Sequence, residues 1–241
     1  MKPPVKRLAL PLVLLAAGPA LAEPRISTRP EPQLLVTVSL DVETQWHLDR
    51  SYRLLGTDRT PTHSGLSASL QAGRLAGGRL ELGAGFHGNT STGPFAGQNE
   101  AQLEERTPSL SALLRWSPYR WLEPHLRVAA DLTRAKLRLA MSNSATTLED
   151  TAWSPGGSAG VGLRLRTGTL STALNGGRLG IAGAVIIEGG FHLGLPYAFD
   201  VSSPKPSDEK LANDRIPAGS TPLGDLGRAQ PYLRLSFALL I

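Results

Sequence analysis

From residue 33 the chain alternates between apolar and polar side chains. Leu34, Val36, Val38, Leu40, Val42, Thr44, Trp46 and Leu48 fall on one face of an extended segment, and Thr37, Ser39, Asp41, Glu43, Gln45 and His47 on the other. A helix would scatter both sets around its axis, whereas a period of two sorts them, so the pattern predicts a first strand over 33–48. Asp41 and Glu43 would be costly in the dry core of a sandwich; a wet barrel interior accepts them.

Seven further segments repeat this logic. Leu66, Ala68, Leu70 and Ala72 oppose Ser67, Ser69, Gln71 and Gly73; after an Ala76-Gly77-Gly78 turn, Leu80, Leu82, Ala84 and Phe86 oppose Glu81, Gly83, Gly85 and His87. Leu110, Ala112, Leu114 and Trp116 form a fourth outer face. Ser117-Pro118-Tyr119-Arg120 then turns the chain into a fifth segment, with Leu122, Leu126, Val128, Ala130 and Leu132 outward and His125, Arg127, Ala129 and Asp131 inward. The sixth places Ala159, Val161, Leu163 and Leu165 outward against Gly160, Gly162, Arg164 and Arg166. The seventh runs over about 179–193 with Glu188 as its inward charge. In the last, Leu233, Leu235, Phe237, Leu239 and Ile241 alternate with Arg234, Ser236 and Ala238.

Connections alternate in length. Those after the second and fourth segments are tight and that after the sixth is Gly-rich (Leu174-Asn175-Gly176-Gly177), while the others are long and polar, including 89–107 and 194–227. The expected fold is therefore all-β: an eight-stranded antiparallel up-and-down transmembrane β-barrel with short periplasmic turns and long extracellular loops. A ten-stranded barrel with another hairpin inside 194–227 is the rival, and the prolines of that stretch argue against it. The tryptophans fit the topology. Trp46 and Trp153 fall at the extracellular rim and Trp116 and Trp121 beside a periplasmic turn, where an indole buries its ring and keeps its N–H wet.

The N-terminus adds a compartment. Lys2, Lys6 and Arg7, an apolar stretch over 8–17 and Ala20-Leu21-Ala22 predict a signal peptide over 1–22, a periplasmic lead-in over 23–32 and the barrel over 33–241. Removing those three cations takes the formal net charge from +5 to +2, so the basic balance belongs in part to the leader. No basic cluster with interleaved aromatics is present, which argues against a nucleic-acid partner. The chain has no cysteine, which suits passage through an oxidising periplasm.

The chain resembles the small outer-membrane β-barrel proteins of Gram-negative bacteria, the class that includes the OmpA-type transmembrane barrel. The resemblance spans 33–241 and is most specific in the terminal strand, where apolar residues alternate up to Ile241 in place of the usual terminal aromatic. It implies an outer-membrane location, outer-membrane lipid as surroundings, assembly by the barrel-assembly machinery and a monomer. It implies no activity, because one fold hosts anchors, adhesins, narrow pores and lipid-modifying enzymes.

The inward set carries both signs: Asp41, Glu43, Glu81, Arg115, Arg127, Asp131, Arg164, Arg166, Glu188 and Arg234, with His47, His87 and His125 beside them. An eight-stranded interior is filled by side chains, so these charges are expected to pair, with Glu43 or Glu81 meeting Arg127, Arg164 or Arg166. The reading is a non-enzymatic barrel with a structural or surface-interaction role through its extracellular loops, where Tyr52, Phe95, Tyr197 and Phe199 are the aromatics expected to meet a ligand or to pack within the loops. A narrow gated pore is one alternative and a lipid-modifying enzyme another. The second would need a nucleophile, base and acid together, and only His63-Ser64 near the extracellular rim offers a start. No catalytic, cofactor or metal site is expected; the glycines of 156–162 lack the Lys-Ser/Thr of a phosphate loop.

Overall fold

The structure, a computed structural model, describes residues 36–49, 52, 60–95, 99–140, 147–167, 170–174, 177–201 and 221–241, with the backbone alone at 170–174, 177–179, 201 and 221–225. The leader, the lead-in and most loop tips lie outside the described residues. The strands are β1 (Val36–Gln45), β2 (Thr62–Leu75), β3 (Gly78–Phe95), β4 (Asn99–Arg115), β5 (Leu122–Ala140), β6 (Thr147–Arg166), β7 (Leu170–Leu174), β8 (Gly177–Val201) and β9 (Thr221–Leu240). Each pairs antiparallel with its neighbour, and the ring β1-β2-β3-β4-β5-β6-β8-β9 closes where β1 meets β9, from Thr37 beside Leu240 to Gln45 beside Tyr232. Val36 and Ile241 exchange backbone hydrogen bonds of 3.0 and 2.9 Å at the seam. β7 pairs only with the start of β8 and hangs as a short hairpin below the ring, where sequence predicts a plain turn.

The wall has its apolar side outward. Leu40, Leu110, Val161 and Leu193 are each 60% or more exposed, while Arg115, Glu43 and Glu188 are about 2% exposed. This inverts a water-soluble protein and matches a closed sheet in hydrocarbon, where a barrel satisfies every backbone N–H and C=O within its own wall. Among the described residues no helix is long and apolar enough to cross a membrane; the strands make the crossing. Trp46, Trp121 and Trp153 face outward, and half-buried Trp116 donates its indole N–H to the Ala76 carbonyl at 3.3 Å, joining two adjacent turns.

The strands run further than the sequence pattern suggests. The stretch 89–107, expected as a loop, is mostly β3 and β4, whose pairing continues from Asn89 beside Glu105 to Phe95 beside Asn99. Likewise 194–201 and 221–227 extend β8 and β9 up to the pair Val201 and Thr221, and the ring stays at eight. These extensions carry the opposite polarity. On β5, Leu126, Val128 and Leu132 point out; three residues later Ala135, Leu137 and Leu139 are buried inside and Arg134, Lys136 and Arg138 point out. On β4, Ala101 and Leu103 are inside while Glu100, Gln102 and Glu104 are outside. The alternation thus changes phase between Leu132 and Ala135. Below it the wall faces lipid, and above it a collar has the apolar interior of a barrel in water.

The β2–β3 connection has two central residues, Ala76 and Gly77, between the paired Leu75 and Gly78, with φ of 47° and 75°. Two positive φ values match the twist of the flanking strands. Gly77 adopts this freely, whereas Ala76 is held in a region its Cβ disfavours. Ala76→Gly or Ala76→Asn is expected to stabilise the barrel by about 0.5–1 kcal/mol and Gly77→Val to destabilise it by about 1–2 kcal/mol. Urea titration of the detergent-folded protein, followed by tryptophan emission, checks both signs.

Candidate functional site

The interior charges stack in tiers along the barrel. At the turn end, Arg115 makes a bidentate pair with Glu81, one arm at 2.5 Å, while Arg164 and Arg166 reach Glu123 at 2.7 and 3.1 Å. Arg164 also lies 3.7 Å from Glu81 and donates to Thr37 at 3.2 Å. Ser69 and Ser117 donate to the two carboxylates at 3.1 and 3.2 Å. On the opposite wall of this end, Ala182, Ala184, Ala238 and Leu240 make a small apolar lining.

At mid-height Arg234 lies between two carboxylates. It donates to Glu43 through Nε at 2.8 Å and through Nη2, and its Nη1 is 3.5 Å from Glu188. Glu188 also receives the Tyr232 hydroxyl at 2.7 Å, lies 3.0 Å from His125 Nε2, and has Arg127 at 3.6 Å. The register explains the grouping. Arg234 is directly opposite Glu43 on one side and Glu188 on the other. His125 and Glu188 flank Gly162 from the two neighbouring strands and meet over it; a Cβ there would stand 2.5 Å from the imidazole Cε1. Gly162 is the gap through which this contact is made.

The next tier joins Asp131 to Arg228 at 3.0 Å and His192 at 3.5 Å, with Arg228 also donating to Thr133 and to the Ser154 carbonyl at 2.7 and 3.0 Å. His192 Nε2 is 3.3 Å from Glu43, which links this tier to the one below, and His87 faces Asp41 at 3.3 Å. The Tyr197 hydroxyl donates to Glu105 at 2.8 Å, and Gln230 donates to Gln45 at 2.5 Å. Among the described residues the interior holds small chambers of about 20 and 50 Å³. The larger is lined by hydroxyls of Ser39, Ser67, Ser69, Ser111 and Ser236 and has room for water.

Above these tiers the interior turns apolar. Tyr52, Tyr197, Phe199, Leu103, Leu137, Leu139 and Leu226 pack together, all 5% exposed or less, with Phe95 half-buried against them. Tyr52 stacks on His47, ring centroids 3.7 Å apart. This corrects the expectation that Tyr52, Tyr197 and Phe199 are exposed contact residues. They point inward because the collar, surrounded by water, needs an apolar interior.

All ten charges expected in the lumen lie inside the wall, with Arg166 the least buried at 13% of its side chain. One expected pair is present, Arg164 with Glu81 at 3.7 Å, and the shorter contacts go elsewhere. Glu43 takes Arg234, Glu81 takes mainly Arg115, Arg127 turns to Glu188, and Arg166 to Glu123. Glu43, Glu81 and Arg166 find partners on adjacent strands, whereas Arg127 and His125 on β5 reach Glu188 on β8 across Gly160 and Gly162 of β6, because the interior has little free width. Glu105, Glu123, Arg228 and His192, which the alternation does not point to, complete the network together with His63. Glu123 was legible in principle, two residues before His125 on the same face, but Pro124 obscures the alternation. All five histidines of the chain face inward and are buried. His63 is inside, 3.7 Å from Glu105, and the adjacent Ser64 is outside, so they do not meet as nucleophile and base. No cluster of metal-binding side chains occurs among the described residues. On the outside of the collar, the Lys136 ammonium 2.6 Å from Glu149 holds that carboxyl below its usual range, with Arg138 adding to the effect.

No protein-family model and no curated protein matches this chain. Among solved structures it is similar to Neisserial surface protein A (14% identity, 86% of this chain and 96% of that one, TM-score 0.39). It is also similar to Ail, the attachment invasion locus protein of Yersinia pestis (8%, 87% and 98%, 0.42), and to the N-terminal β-barrel domain of Pseudomonas aeruginosa OprF (11%, 85% and 97%, 0.34). All three are small outer-membrane β-barrels.

Because Arg234 serves two carboxylates, their removal is expected to be non-additive. Glu43→Ala or Glu188→Ala alone should cost about 3 kcal/mol, as a buried cation loses a partner. Combining either with Arg234→Ala should cost less than the sum of the singles by about 1–3 kcal/mol. Urea unfolding of the three single and two double variants in one detergent measures this; strict additivity would show that the tier is not coupled.

Proposed function

We propose that this protein is a monomeric, non-enzymatic outer-membrane β-barrel, with a structural or surface-interaction role carried by its collar and extracellular loops. The observation that carries the reading is the state of the interior. Five carboxylates and six guanidiniums are set against one another at hydrogen-bonding or near-contact distance, Asp41 faces His87 and Glu105 faces Tyr197, and an apolar plug of Tyr52, Tyr197, Phe199 and Leu226 lies above them. A conducting lumen needs a continuous wet path. Here the chambers are about 20 and 50 Å³ and charged tiers lie between them.

Export through the leader over 1–22 and insertion by the barrel-assembly machinery, which reads an alternating terminal strand such as β9, belong to the same reading. A lipid-modifying activity on the outer surface is disfavoured because every histidine faces the interior, which leaves that surface without an imidazole base. Refolded protein in planar bilayers tests the proposal. The expected record is a silent membrane after confirmed insertion. Steady, ion-selective current would replace the plugged barrel with a pore.

A further inference from the structure

The outer surface holds two facing guanidiniums with one acid, Glu104 beside Arg106, between them. Arg106 on β4 and Arg134 on β5 face outward directly opposite one another in the strand register. Like charges at such a position destabilise a sheet. Nearby cations have acids: Lys136 and Arg138 share Glu149 at 2.6 and 3.0 Å, and Arg106 has Glu104 at 2.6 Å. The Arg134 side chain has no ion pair or hydrogen bond among the described residues. Of the other outward acids on these strands, Glu100 lies opposite Ala140, three pairs further out.

The position of the pair is informative. Leu132, at the top of the lipid-facing wall, lies immediately below Arg134, Pro108 and then Leu110 lie below Arg106, and the phase change of β5 follows directly above. Trp153 stands opposite Arg134 on the other side. Beyond Arg106 the register places Gly88, and the missing side chain leaves a shallow surface concavity of about 430 Å³, floored by Phe86 and edged by Thr62, Ser64, Thr90, Glu104 and Arg106. Apolar wall, flanking indole, two guanidiniums and a hydroxyl-lined hollow thus follow one another across the edge of the membrane.

We infer that Arg106 and Arg134 hold the phosphate of a phosphorylated lipid in the outward-facing leaflet. Its acyl chains lie along Phe86, Leu110 and Leu132, and the rest of its polar headgroup rests in the hollow beside Ser64 and Thr90. A phosphate accepts from two guanidiniums at once and removes the repulsion between them. The apolar wall directly beneath selects a lipid over a free anion. This inference rests on the reading of the chain as a bilayer-spanning barrel.

The test uses the full barrel folded in detergent, with folding read independently from heat-modifiable gel migration. Native mass spectrometry then counts adducts of diphosphoryl lipid A. One retained lipid is expected. Arg106→Gln with Arg134→Gln should weaken binding about tenfold or more, the size of at least one charge-assisted hydrogen bond, while Arg138→Gln leaves it unchanged. Arg134→Gln alone removes an outward side chain without a partner, keeps the barrel folded, and should give a smaller loss in the same direction. The lipid stripped of its phosphates should bind as weakly as the double variant does, and millimolar inorganic phosphate should not displace the intact lipid. Equal binding by the double variant, or by the phosphate-free lipid, overturns the site. Displacement by inorganic phosphate makes it a small-anion site and overturns the lipid assignment. A chain that shows no heat shift fails the barrel reading itself, whereas a folded barrel without phosphate-dependent adducts fails only this inference.

Discussion

A sheet placed in hydrocarbon cannot keep a free edge, since each unpaired N–H or C=O there costs several kcal/mol. In this chain the requirement is met at one seam, where β1 pairs with β9 across almost the whole length of the sequence. The other features follow from that closure. Eight strands enclose a space that side chains fill, so polar residues sent inward by the alternation must satisfy one another. They do so between adjacent strands, as with Arg234 against Glu43 and Glu188, and across the lumen over one or more strands, as with His125 against Glu188 or Arg228 against Asp131. Pairs of this kind depend on register, so the network that fills the barrel also fixes how its strands align.

Within the lipid-facing wall the sequence was easy to read, because each outward position must be apolar and each inward position has only to be compatible with a crowded polar interior. The alternation through Val38, Leu40 and Val42, or through Leu126, Val128 and Leu132, therefore lies close to the observed strands. It fails above Leu132 for a physical reason. In water the preference reverses, and Ala135, Leu137 and Leu139 continue the period of two with opposite phase. A reader following one phase sees the pattern end and assigns a loop. The same reversal hid Tyr197 and Phe199, whose parity is further shifted by the irregularity between Gly194 and Tyr197.

The ion-pair partners were less legible than the set of charges. Parity alone sends Glu43, Glu81, Arg127 and Arg164 inward, but partner choice depends on stagger between strands and on which neighbours lack side chains. Gly162 illustrates this: its position in sequence says little, yet in the barrel it lies between His125 and Glu188 and lets them touch. Hydroxyls such as Ser39 and Ser67, 2.7 Å apart, fill places where a larger residue would crowd the guanidiniums.

The change of phase on β5 also bears on where the molecule can sit along the membrane normal. If the barrel sank by one pair of residues, Arg106 and Arg134 would enter the acyl region while gaining nothing apolar in exchange. If it rose by the same step, Leu132 would meet water. Basic side chains cost progressively more with depth, so the two displacements are penalised from opposite sides. The collar projects about 20 Å beyond the boundary, on the rise of eight residues in a tilted strand. A binding surface carried at its top is thus held at a set height above the lipid headgroups, independent of the loops that connect the strands.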